Sequence, residues 1–125
     1  MAPERKLLNE CHRLIATMRA AGRKIKAVKY HGNAYSKSGT PDLHITLDGR
    51  SVWCELKAEG GVISALQHHE LKEWAASGAI CGVCWSREEF IELLKLADGM
   101  RPSAAGVLVI KGVMTVFQPD KKGAA

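Results

Sequence analysis

No apolar run in the 125 residues approaches the roughly 18 that a membrane-crossing helix needs, so a helical membrane protein is excluded. The opening MAPERKLL has neither the apolar stretch nor the small-residue cleavage site of a secretory signal. A cytoplasmic chain with its four cysteines reduced is therefore the expectation. No second Cys pair at zinc spacing accompanies Cys81-Gly-Val-Cys84, and residues i and i+3 of a strand point to opposite faces. Zinc or thiol redox chemistry there, the third functional reading, is correspondingly weak. His69-Glu70 is followed by Glu73 where a zinc protease would carry histidine. Repeats and linkers are missing too, leaving one domain across residues 1–125.

What is present supports a globular core, because 46% of the residues are apolar and 25% charged. The net charge of +5 is uneven. Residues 1–30 carry eight Lys or Arg and two Glu, a net +6, and the remaining 95 residues sum to −1. Such a basic segment suits phosphates, although a solvated helix face would look the same.

Leu7, Cys11, Leu14 and Met18, with Leu8 and Ile15 beside them, recur at helical spacing and predict a helix over about 4–20 that Gly22 closes. KIKAVKY (24–30) reads as a half-exposed strand, and 31–41 as a loop. DLHITL and RSVWCELK flank Asp48-Gly49, a strong hairpin signal. A helix over 65–77 begins at Ser64, a strand spans 79–85, and Ser86 with Glu89 makes a capping box for a helix over 87–97. A last hairpin surrounds Lys111-Gly112 (about 105–118), with a frayed tail at 119–125. The order implies an α/β fold, an α+β sandwich with a mixed central sheet flanked by helices.

The Asp48-Gly49 turn sets Leu47 opposite Arg50, Ile45 opposite Val52, His44 opposite Trp53 and Asp42 opposite Glu55. Asp42, Glu55 and Lys57 then gather on one side of the hairpin, while Leu43, Ile45, Val52, Cys54 and Leu56 supply the core. Two directly opposed carboxylates repel unless something compensates, and a hard divalent cation, Mg²⁺ or Mn²⁺, does so most simply. With Lys57 beside it, that centre suits hydrolysis of a phosphate ester. Two solvated surface acids are the competing reading.

Gly39-Thr40-Pro41-Asp42, twelve intervening residues, Glu55-Leu56-Lys57 and then Gln67 resemble the PD-(D/E)xK nuclease core. More narrowly, GTPDLHI, the hairpin, WCELKAEGG and the stretch from Ser64 to Gln67 resemble the VRR-NUC group, whose small stand-alone members occur in phages and bacteria. The likeness spans about residues 4–95 and leaves the last hairpin outside. It implies a restriction-endonuclease-like core, metal ligation by Asp42, Glu55 and the Leu56 carbonyl, a catalytic Lys57, and a Gln67 that positions phosphate or water. It also implies an acid from the first helix, for which Glu4 continues the apolar stripe and Glu10 competes.

Lys29, Tyr30, Tyr35 and Lys37 lie in or beside the loop entering Asp42, where contact with nucleic acid is expected. His44 either tunes the acidic site or stacks on Trp53. The resulting expectation is a metal-dependent deoxyribonuclease acting on duplex or branched DNA, with a second copy as its partner in a homodimer by analogy with the group. A non-catalytic nucleic-acid-binding module of the same fold is the alternative.

Overall fold

The computed structural model describes residues 2–30, 39–100 and 105–118. Nine elements follow in order: α1 (Pro3–Ala20), β1 (Ile25–Lys29), β2 (Leu43–Leu47), β3 (Arg50–Leu56), α2 (Ala65–Ala76), β4 (Ile80–Cys84), α3 (Arg87–Asp98), β5 (Gly106–Ile110) and β6 (Val113–Phe117). All six strands form one mixed sheet in chain order. β1, β2 and β3 are antiparallel, β3, β4 and β5 run parallel, and β6 returns antiparallel to β5. The last hairpin is therefore a continuation of the central sheet. No helix among the described residues is long and apolar enough to cross a membrane.

The β2–β3 register follows from its turn. Asp48 and Gly49 have φ of 49° and 82°, the paired positive values of a primed two-residue turn whose twist matches that of the strands. Ile45 consequently faces Val52, His44 faces Trp53 and Leu43 faces Cys54. Strand alternation then divides the side chains between two cores. On one face, Leu43, Ile45, Val52, Cys54 and Leu56 pack with Leu7, Cys11 and Ile15 of α1 and with Phe90 and Leu93 of α3. On the other, Trp53, Cys81, Val83 and Leu108 pack with Leu71 and Ala75 of α2.

The helices start as their local sequences require. Pro3 occupies the first turn of α1, where a missing N–H costs nothing. Ser64 and Gln67 form a reciprocal capping box at α2. At α3 the box is only half made: Ser86 accepts from the Glu89 N–H, while the Glu89 carboxylate takes the N–H of Trp85 instead of that of Ser86. Each of α2 and α3 bridges two adjacent parallel strands but lies on the opposite face from the other. Because the strands step in one direction, the two crossovers have opposite hands, one of them against the usual right-handed rule.

Two features the sequence does not announce tie the parallel strands together. Arg50 is only 3% exposed, and its Nη2 donates to the carbonyls of Gly78 at 3.1 Å and Ala105 at 3.2 Å. Gly106 lies so close to the end of α2 that an added Cβ would sit 1.7 Å from the Ala75 carbonyl oxygen.

Candidate active site

At the end of the sheet where β1 stops and β2 starts, Asp42 lies one residue ahead of its strand. Its carbonyl accepts from the Tyr30 N–H at 2.8 Å, prolonging the β1–β2 ladder. Its carboxylate curls over the strand end instead of standing clear of the sheet. Oδ2 accepts from the Leu56 N–H at 3.0 Å, and Oδ1 pairs with the Lys29 ammonium at 3.3 Å.

Glu55, near the end of β3, is 2% exposed and lies close to Asp42. Two neighbouring carboxyls can share a hydrogen bond only if one keeps a proton. Accordingly, burial first, then the hydrogen bond to Asp42 and its charge, push the Glu55 carboxyl up to about 9. Glu4 adds to the rise, and Lys57 alone opposes it. The other oxygen, Glu55 Oε2, is buried without a hydrogen-bond partner among the described residues. Lys57 follows β3 directly and donates its N–H to the Cys84 carbonyl at 3.0 Å, which anchors its backbone.

A cleft of about 170 Å³ opens on the α1 side, lined by Glu4, Arg5, Leu8, Lys29, Asp42 and Leu56. Glu4, in the first turn of α1, thus reaches the acidic group. Glu10 is half-buried farther along the helix, and its charge bears on Cys11. Lys29, expected at nucleic acid, faces into this cleft because it shares a strand face with Ile25 and Ala27. Tyr30, the next residue, emerges on the opposite face, and Tyr35 and Lys37 lie outside the described residues. Gln67, for which the family resemblance implies a role at the phosphate, uses its Oε1 to accept the Ser64 N–H at 2.9 Å and does not line the cleft.

His44 is stacked on Trp53, with ring centroids 4.3 Å apart, and its Nε2 meets Ser51 Oγ at 2.8 Å. Burial lowers its pKa. Cys81 and Cys84 fall in the two different cores, and burial pushes the Cys81 thiol up to about 12. Cys84 lies instead 3.4 Å from Cys54, so the Cys-x-x-Cys spacing makes no redox pair.

Arg5 and the ion-pairing position of Lys29 went unmarked in the sequence. Only the pairing of β1 with β2 across a long connection brings Lys29 next to Asp42.

The donor set can be tested for a hard divalent cation. Among the described residues no three His, Cys, Asp or Glu side chains form a closed cage. A Mg²⁺-type ion needs none, since one or two carboxylates, waters and substrate phosphates complete its shell. The pair Asp42 and Glu55 supplies those carboxylates. The orphaned Glu55 Oε2 and the raised pKa of Glu55 beside Asp42 mark where positive charge is wanted. The residues fit the ion. Comparison with protein-family models, curated proteins and solved structures finds no match, so geometry and residue chemistry carry the functional reading.

Proposed function

We propose that the chain is a Mg²⁺- or Mn²⁺-dependent deoxyribonuclease of the PD-(D/E)xK type, resembling the VRR-NUC group, that hydrolyses phosphodiester bonds. The supporting observation is the pairing of half-buried Asp42 with buried Glu55, one Glu55 oxygen being unpartnered among the described residues and Lys57 lying near enough to act on its charge. Asp42, Glu55 and the Leu56 carbonyl would hold the cation. When bound, such an ion lowers the pKa of water and draws charge from the scissile phosphate.

The chain's own groups supply the remainder. Lys57 places a positive charge beside the attacking water and the developing pentacovalent phosphate. The Leu56 N–H and the Lys29 ammonium fix the Asp42 carboxylate in one orientation. Arg5 at the cleft, with the basic residues of α1 and β1 beyond it, offers counter-charge to the DNA backbone.

The test is cleavage of plasmid and branched DNA in Mn²⁺ by wild type, Asp42→Ala and Lys57→Ala. Both variants should keep the thermal transition of a folded protein. Lys57→Ala should lose roughly 10²- to 10⁴-fold in rate, the usual worth of such a group. Undiminished cutting by Lys57→Ala defeats the mechanism. DNA binding that is equal in EDTA and Mn²⁺, with no nicking in either, would make the protein a binding module.

A further inference from the structure

On the face opposite the acidic cleft, three rings gather around Trp53. His44 and Trp74 each lie 4.3 Å from Trp53, inclined to it by 27° and 31°, and Tyr30 stands 5.6 Å from Trp53. Trp53 is 4% exposed, yet its Nε1–H has no hydrogen-bond partner among the described residues. The outer members remain open to solvent, Tyr30 at 41% and Trp74 at 37%. Between them lies a cleft of about 480 Å³, also lined by Thr40, Glu70 and Glu73. That volume is in the range of small-molecule sites.

Three features select the occupant. The three rings meet Trp53 at 27–31°, nearer to stacked than to edge-on, so another flat ring can join the group, whereas a cage for an alkylated ammonium needs faces turned toward one centre. Among the described residues no Lys or Arg lines this cleft, and Glu73 does, so these residues repel a phosphate while the N–H edge of a heterocycle finds an acceptor. Arg5 and Lys29 line the cleft on the other face, where a phosphate belongs. The two clefts open on opposite faces of the sheet at the same end of β1: Lys29 lines one and Tyr30 the other, and the Tyr30 N–H is bonded to the Asp42 carbonyl.

We propose that the cleft between Tyr30 and Trp74 is a base-stacking subsite, holding the nucleobase of an unpaired nucleotide whose backbone runs past Asp42. The placing of that backbone rests on the nuclease reading. Bases inside a duplex are stacked and cannot enter, so the subsite favours single-stranded, flapped or branched DNA.

The test measures binding of a short single-stranded oligonucleotide in EDTA, against the same backbone with abasic positions. The proteins compared are wild type, Trp74→Ala, Trp74→Phe and Tyr30→Ala, each checked for an unchanged thermal transition. Wild type should prefer the base-bearing strand about tenfold, in line with the loss of one stacking contact. Trp74→Ala and Tyr30→Ala should lose that preference, and Trp74→Phe should keep most of it. Equal preference in Trp74→Ala and wild type overturns the subsite. So does competition by tetramethylammonium but not by a free nucleoside, which would mark a cation cage. Should wild type cut no DNA in Mn²⁺ while the Trp74-dependent preference persists, the nuclease reading falls and the base site stands.

Discussion

The Glu55 carboxyl ties stability to pH and to divalent metal in a way that can be worked through. In the cation-free protein its pKa lies at about 9, against 4.5 for an unperturbed carboxyl. Below the lower value both folded and unfolded chains hold the proton, and the group costs nothing. Between the two values the unfolded chain has released a proton that the folded chain keeps. Stability then falls as pH rises, at 1.36 kcal/mol per pH unit. The loss is complete above the folded value, where both states are ionised.

At about pH 7 the penalty reaches about 3 kcal/mol, an upper figure because the carboxyl is coupled to Asp42. For a domain of this size that corresponds to roughly 10 °C in Tm. The assay is thermal unfolding in EDTA from about pH 5 to 8, comparing wild type with Glu55→Gln. The amide is nearly isosteric, does not titrate, and can donate to Asp42. The variant should match wild type at the acid end and exceed it by a widening margin toward the alkaline end. Saturating Mn²⁺ should raise wild-type Tm most at alkaline pH and leave Glu55→Gln almost unmoved. A margin that stays constant with pH, or a Glu55→Gln protein less stable than wild type at about pH 8, would refute the shared-proton account.

Two further substitutions examine the frame around the site. Gln67→Ala should cost about 1 kcal/mol through the α2 capping box and leave cleavage near wild type; an unshifted melt with lost cleavage would restore the family role of Gln67. Gly106→Ala forces a methyl into the Ala75 carbonyl and should destabilise by about 3 kcal/mol or more in urea unfolding, so a shift below about 1 kcal/mol would show that α2 and β5 can part freely.

Local chemistry made much of this molecule legible from its residues. The α1 stripe, the Asp48-Gly49 turn and the register from Leu47–Arg50 to Leu43–Cys54 each depend on neighbours a few positions away. Periodicity and turn type therefore sufficed to expect them. The same register predicts that Asp42 and Glu55 meet, and in the structure Asp42 is near enough to raise the Glu55 pKa. Tertiary structure alone decided how those acids are held. At a strand end no second row of the ladder constrains a side chain, so Asp42 curls back to the Leu56 N–H, and Lys29 arrives from a strand across a long connection. Gln67 went to its own helix terminus because the orphan N–H of Ser64 lay within reach. The Tyr30–His44–Trp53–Trp74 group draws one ring from each of four elements or their ends, and only a folded sheet with α2 on its face can assemble it.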